Sequence, residues 1–333
     1  MRKALVTGGC GFIGSHVVDE LVDRGWKVVV LDNFSVGETK NMRNDVTYFV
    51  GDIRDEAKVR MVLRDVDVIF HFAYDATECK SIFSPVLDTD INLRGGMILL
   101  KEAINAGVRK FVFPSSVLAY GVPQELPMKE DHRLTPDDPY SVSKVAFESY
   151  LRVYHELGVI DPYIIRFNNT YGPRLRLDNP YKGVTQIFIK KALRGEDLTI
   201  FGDGEQTRAF TYVEDIKRVI VDLVDHDELI NKPINIGSDF VHSVNELADT
   251  IIEETNSEAN VINLPKRQKD IDHAYCDVKL MQKTFAYKCQ TNLKEGIAKT
   301  VAWAIKQPDD DFQYNWPVEI PCLLEDIYKE EKI

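Results

Sequence analysis

No apolar run in this 333-residue chain approaches the roughly 20 residues that span a bilayer. The apolar segment at Ala4-Leu5-Val6 is also too short for a secretory signal. Positive charge is scarce: 41 Lys and Arg stand against 53 Asp and Glu, a formal net charge of −12. That balance argues against a nucleic-acid surface or a polybasic membrane patch, yet leaves room for a few cations around a small anionic ligand. Cysteine is sparse and scattered, at Cys10, Cys79, Cys276, Cys289 and Cys322, and no pair has metal-site or redox-motif spacing. An odd, scattered set implies idle or buried thiols, no metal centre, and a reducing cytoplasmic location for a soluble protein. Internal repeats and low-complexity tracts are lacking as well.

What is present is an α/β alternation. At 44% hydrophobic residues the chain can bury one large or two coupled cores. Strands are predicted at 3–6, 27–31, 46–50, 66–72, 110–113 and 163–167, with helices at 56–63, 91–106 and 140–157 between them. Nearly continuous apolar strands alternating with amphipathic helices imply a doubly wound parallel sheet covered on both faces. Ligands of such sheets lie outside the carboxyl ends of the strands. After Tyr171-Gly172-Pro173 the alternation loosens, then resumes with a helix at 184–193, a strand at 234–236 and helices at 244–254 and 291–306. A smaller, interleaved C-terminal α/β lobe is therefore expected. The tail from Gln307 is acidic and carries Trp316, Pro317 and Leu323, which could pack, but shows no chemistry.

The most informative stretch is Thr7-Gly8-Gly9-Cys10-Gly11-Phe12-Ile13-Gly14, which turns the first strand into a helix. Its glycines at 8, 11 and 14 allow a tight turn, close approach to a diphosphate and close helix packing. The helix start presents free amides and a positive dipole end to phosphates. The second strand ends in Asp32, whose carboxylate would accept both ribose hydroxyls of NAD and repel the 2′-phosphate of NADP. Asn33, Phe34 and Ser35 follow; the nearest cations are Lys40 and Arg43. NAD is the expected cofactor.

Tyr140 and Lys144 lie four apart at the start of a predicted helix and so share a face. A phenol titrates near 10, too high for a base at neutral pH. An ammonium a few ångströms away, at an effective dielectric near 20, would supply about 4 kcal/mol, or about three pKa units. Among 14 tyrosines one such Lys is expected by chance, so the pair has weight only with Ser116. Ser116 follows the strand at 110–113 at its carboxyl end, in Pro114-Ser115-Ser116-Val117-Leu118-Ala119-Tyr120-Gly121, where its hydroxyl could bond the same substrate oxygen.

Taken in order, the TGGCGFIGSH loop, Asp32, Gly51-Asp52-Ile53, His71-Phe72-Ala73, Ser115-Ser116, Tyr140-x-x-x-Lys144 and Asn169-x-Tyr-Gly-Pro173 resemble the extended short-chain dehydrogenase/reductases. Within them the chain is most similar to nucleotide-sugar epimerases of the UDP-glucose/UDP-galactose 4-epimerase type, through Val301-Ala302-Trp303. The resemblance implies a Rossmann domain over residues 1–170, with return segments near 210–255, and a lobe over 171–333 that mainly binds the nucleotide sugar. It implies that Gly8, Gly11, Phe12, Ile13 and Gly14 hold the NAD diphosphate. Asp32 and Asn33 would take the adenosine ribose, Asp52 and Ile53 the adenine. Phe72 and Ala73 would line the diphosphate and nicotinamide ribose, supported by Asn92, with Lys144 on that ribose. Ser116 and Tyr140 would hold the reacting sugar hydroxyl. Asn169, Arg208 and Arg267 would grip the UDP diphosphate, and Val184, Thr199 and Phe201 would flank the uracil. A homodimer through the helices at 91–106 and 140–157 is also implied.

Several positions depart from that pattern. Tyr74-Asp75-Ala76-Thr77-Glu78 replaces small residues, and Arg267-Gln268-Lys269-Asp270 replaces Arg-x-Gly-Asp. Dehydratases carry an Asp-Glu pair directly after the Ser or Thr and decarboxylases commonly a Glu; here Val117 and Leu118 stand there. The reading is C4 epimerisation of a UDP-hexose through a transient 4-keto sugar. The alternatives are a UDP-glucuronate epimerase or decarboxylase, a 4,6-dehydratase, or a non-catalytic NAD sensor. Ala274 aligns with a size-gating Tyr, which favours UDP-GlcNAc and UDP-GalNAc beside UDP-glucose and UDP-galactose.

Overall fold

In the computed structural model, which describes residues 1–181, 183–267, 270–313 and 316–323, seven parallel strands form one sheet. They are β1 (Lys3–Thr7), β2 (Lys27–Asp32), β3 (Thr47–Val50), β4 (Val68–His71), β5 (Lys110–Ser116), β6 (Asp161–Phe167) and, far along the chain, Pro233–Ile236. The order runs from Pro233–Ile236 through β6, β5, β4, β1 and β2 to β3. Alternate residues of each strand feed opposite faces. Ala4, Val6, Val30, Phe70 and Val112 pack under Val17, Leu21, Ile216 and Ile220, while Leu5, Leu31, Ile69 and Phe111 pack under Val59, Leu99, Phe147 and Leu151. Both faces are therefore covered, as a parallel sheet requires. Strand order reverses between β1 and β4, whose loops leave in opposite directions and open a crevice at their carboxyl ends.

The second region continues with β7 (Asn169–Tyr171), β8 (Leu198–Phe201) and β9 (Thr207–Tyr212). With Pro233–Ile236 as β10, it adds β11 (Val241–Ser243), β12 (Val261–Leu264) and β13 (His273–Ala274). Strand β9 pairs with β7, β11 and β13, and β8 with β12. Helices Val184–Leu193, Val244–Thr255 and Leu293–Ala304 close a separate core around Phe188, Leu198, Phe210, Leu247 and Ile297. The chain thus crosses to this region after β6 and returns to the main sheet for β10.

The sequence-predicted strands and helices are present, with instructive shifts. Strand β5 runs on to Ser116, so Ser115 and Ser116 belong to the sheet rather than to a loop after it. The helix expected over 91–106 begins instead as a π-helical segment, Thr89–Arg94, before the α-helix Gly95–Asn105. That wider turn goes with a fully buried Asn92, which bonds the backbone of Asp75. Helix Val213–Asp222 was not anticipated, although Val213, Ile216 and Ile220 have helical spacing; it packs on helix Phe12–Asp23.

The helix Pro139–Glu156 carries Tyr140 and Lys144. Asp138 caps it, accepting from the Ser141 amide at 2.8 Å, and Pro139 takes the first helical position, where no amide is needed. Its register on the sheet is held by Glu148, which accepts from Arg166 of β6 at 2.7 Å and 3.2 Å, both side chains almost fully buried. Removing one partner leaves a buried charge uncompensated. Arg166→Ala is therefore expected to lose about 3–5 kcal/mol of stability, read as a lower urea midpoint. Replacing the pair together, as Arg166→Met with Glu148→Leu, should lose far less.

Candidate functional site

The carboxyl ends of β1, β2, β4 and β5 border a cleft of about 560 Å³. Gly8, Gly11, Phe12, Ile13, Gly14, Asp32, Asn33, Asp52, Ile53, Phe72, Ala73, Ser116, Tyr140, Lys144 and Asn169 all line it. Gly8 has φ +69°, and a Cβ there would come within 2.5 Å of the Phe72 carbonyl carbon. At Gly14 a Cβ would sit 2.2 Å from the Gly8 oxygen. Only glycine fits either position, so the helix Phe12–Asp23 can start hard against β1. Asp32 accepts from the amides of Cys10 at 2.9 Å and Phe34 at 2.8 Å, and burial raises its pKa. Asp52 accepts from Arg54 at 2.7 Å and from Asn33 at 2.9 Å; Arg54 beside it draws its carboxyl down to about 2.

This donor and acceptor set fits NAD. A glycine-only turn leads to a helix start, and a fixed carboxylate stands at the end of β2. The two nearby cations are held elsewhere: Lys40 pairs with Glu38 at 3.0 Å, and Arg43 with Asp45, Asp23 and Asp19. Neither lines the cleft.

The catalytic end is crowded with charge taken out of water. The Lys144 ammonium donates to the Pro114 carbonyl and stands 3.3 Å from the centroid of the Tyr74 ring and 5.6 Å from that of Tyr140. Burial lowers the Lys144 pKa well below its ordinary range, while the carboxylates of Asp88 and Glu148 oppose that. Burial first, and the Glu78 charge next, push the Tyr140 phenol up; a hydrogen bond with Ser116 works the other way. Ser116 also accepts from the Leu118 amide at 3.2 Å, which fixes its hydroxyl at the strand end. In the protein alone, then, the net effect on the phenol is upward, opposite to the lowering expected from Lys144. His71 lies sealed behind the cleft, bonded to Thr7 at 2.8 Å, its pKa lowered to about 3 by burial and the Lys144 charge.

Other expected site residues stand outside the cleft lining. Asn92 sits behind it, accepting from the Asp75 amide at 2.8 Å and donating to the Asp75 carbonyl at 3.1 Å. Arg208 on β9 donates to the carbonyls of Ile271 at 2.8 Å and Asp272 at 3.3 Å. Arg267 lies 3.6 Å over the Phe201 ring. Val184 opens its helix, Thr199 and Phe201 lie on β8, and Ala274 of β13 is paired with Arg208. The arginines still reach the cleft electrostatically, because both lower the pKa of Glu78. Gln268 and Lys269 of the Arg267–Asp270 motif lie outside the described residues.

Several residues in or beside the cleft had no assigned role in the sequence reading, although Tyr74 and Glu78 stood out there as departures. Glu78 faces the cleft, ringed by protein mass; burial and then Asp138 raise its carboxyl to about 7. Tyr74 packs edge-on to Tyr140, ring centroids 5.8 Å apart, and its buried hydroxyl has no hydrogen-bond partner among the described residues. Both amide atoms of Gln186 are likewise buried and unpaired there. Asp88, raised to about 6 mainly by burial, accepts from Ser143 and Asn92, each at 2.7 Å. Trp316 and Pro317 of the tail also line the cleft. The departures at 74–78 and the packable residues of the tail were the sequence signals for some of these; Asp88 and Gln186 gave none.

With the geometry in view, relatives become informative. A profile of the NAD dependent epimerase/dehydratase family matches residues 4–237. The chain is 37% identical over 301 residues to a putative UDP-glucose 4-epimerase of Methanocaldococcus jannaschii, covering 90% of this chain and 97% of that protein. It is 30% identical to a UDP-N-acetyl-alpha-D-glucosaminuronate decarboxylase of Bacillus cytotoxicus, covering 91% and 97%. It also superposes, with a TM-score of 0.86 and 33% identity over 92% of this chain and 99% of the other, on a UDP-N-acetylglucosamine 4-epimerase of Methanobrevibacter ruminantium in complex with UDP-N-acetylmuramic acid. The chain belongs to the NAD dependent epimerase/dehydratase family, and the glycine turn and the Asp32 carboxylate are compatible with the cofactor that family uses.

Proposed function

We propose that this protein is a UDP-hexose 4-epimerase that acts on UDP-GlcNAc and UDP-GalNAc and also on UDP-glucose and UDP-galactose. The observation that carries the reading is the cleft wall after Ser116. Val117 and Leu118 both line it, and neither can move a proton. A 4,6-dehydratase or a decarboxylase of this family would need a carboxylic acid there. The Glu78 charge inside the cleft also opposes a hexuronate, whose own carboxylate would face it. The intact Ser116–Tyr140–Lys144 cluster argues against a sensor without catalysis.

NAD, when bound, supplies a nicotinamide ring able to take up and return a hydride. The chain's own groups do the rest. Tyr140 accepts the proton of the sugar 4-hydroxyl and gives it back after the ring has turned. Ser116 holds that oxygen from the strand side. Lys144 binds the nicotinamide ribose and places a positive charge beside the phenolate. Asn169 holds the diphosphate, and Arg208 and Arg267 close on it from the second region, leaving the sugar free to rotate. Leu157, Val153, Tyr150 and Val142 form an exposed apolar stripe along and just beyond helix Pro139–Glu156; this supports a homodimer through that face.

Purified protein is expected to release NAD on denaturation and to interconvert UDP-sugar epimers without added cofactor, followed by proton NMR. Strict dependence on NADPH with net reduction would overturn the reading. Tyr140→Phe should keep UDP-sugar binding and lose about 10²–10⁴ in turnover. Glu78→Gln carries a signed prediction. A negative neighbour disfavours the phenolate, so its removal should move the rising acidic limb of the pH–kcat profile to lower pH. An unmoved limb would mean that Glu78 does not act on Tyr140.

A further inference from the structure

The motifs shared with nucleotide-sugar epimerases end at Val301-Ala302-Trp303. The solved relative above accounts for 92% of this chain, leaving a share about the size of the segment after Gln307. Its described residues, 308–313 and 316–323, are tied down at many points. Asp309 and Asp311 pair with Arg194 at 2.6 Å and 3.1 Å. The Asp310 carbonyl accepts from Lys190, which also lies over the Phe312 ring. Gln313 donates to the Asp178 carbonyl at 2.8 Å. Further on, the Pro317 carbonyl accepts from Ser84, the Glu319 carboxylate accepts from the Val86 and Leu87 amides, and the Glu319 and Ile320 amides donate to the Phe83 carbonyl. Between these anchors Trp316 enters the cleft wall.

Trp316 covers an unusual feature. Lys80 is 4% exposed and lies 3.7 Å from the Trp316 ring centroid. Its ammonium pairs with Asp75, whose backbone is clasped by Asn92, directly after the Ala73 and Tyr74 edge of the catalytic end. The tail, Lys80 and Asp75 therefore form one wall of the same cleft as Tyr140 and Ser116. The Trp316 Nε1 donor in that wall is buried and has no acceptor among the described residues. A buried donor left unpaired is costly, and the cleft that Trp316 lines can hold a ligand acceptor for it.

We propose that the C-terminal segment is part of the substrate site: Trp316 walls the sugar compartment and donates Nε1–H to an oxygen of the bound sugar. This rests on the UDP-hexose reading above. The residue sets how tightly the sugar, as distinct from the nucleotide, is held. The segment thereby makes the sugar end of the cleft narrower than the shared fold alone would.

The test uses full-length protein with bound NAD. Trp316→Phe keeps an aromatic ring over Lys80 but removes the donor; Trp316→Ala removes both. UDP affinity is measured by calorimetry, and KM and kcat are measured with UDP-GlcNAc and UDP-glucose. The expected result is UDP affinity within twofold of wild type in both variants, with KM for the sugar raised about three- to tenfold in Trp316→Phe and further in Trp316→Ala. Unchanged KM in both variants overturns the proposal. So does an equal weakening of UDP and UDP-sugar, which would make the segment a general brace. If wild-type protein neither binds nor converts any UDP-sugar, the 4-epimerase reading itself fails and this inference with it. That outcome is recognised because the wild-type arm is the one that fails.

Discussion

The site depends on one geometric constraint, the divergence of the chain after β1 and β4. Neighbouring parallel strands whose loops leave in opposite directions cannot cover their own carboxyl ends, so a crevice remains. The first turn must then pass close to the Phe72 backbone, which only a residue without Cβ can do. Everything that reads as chemistry is hung from the strand ends bordering this crevice: Asp32 on β2, Ser116 on β5, Asn169 on β7. The helix bearing Tyr140 and Lys144 is pressed to the same edge by Arg166 and Glu148.

A second consequence is electrostatic. Burial is the leading cause of the shifts at Lys144, Glu78, Asp88 and Asp32 in and beside the crevice, although Glu78 keeps an exposed surface on it. Burial disfavours charge of either sign, so carboxyls rise and the ammonium falls. The carboxylates of Asp88 and of Glu148, one turn along the same helix as Lys144, work against that fall. Perturbed groups cluster this way where protons are moved. Here they converge on Tyr140, with Ser116 favouring its ionised form and Glu78 opposing it.

The main sheet was legible because its signals are local. Apolar runs of strand length, the glycine spacing and the terminal Asp32 each follow from the backbone of a few consecutive residues. The i,i+4 spacing of Tyr140 and Lys144 needed only a helix. What was not legible depends on packing between distant segments. Asn92 looks like a plain helical residue until the π-helical turn sends it to Asp75. Arg208 was assigned to phosphate from its motif, yet here it holds carbonyls of the 271–272 loop. Gln186 and Trp316 lie in the cleft wall through long-range folding that no short window of sequence encodes.

The departure at Asp75 makes physical sense together with Lys80, five residues on. Lys80 could remain exposed if nothing covered it; once Trp316 does, the ammonium needs an anion, and Asp75 supplies it. Asp75 must then be held in place, which Asn92 does through both its amide and its carbonyl. Asn92 in turn donates to Asp88, which takes the Ser143 hydroxyl one residue before Lys144. Each buried polar group thus obliges the next, from the tail to the catalytic helix. A chain without the tail would have no need of Lys80 and Asp75 in this form, and small residues would serve there as well.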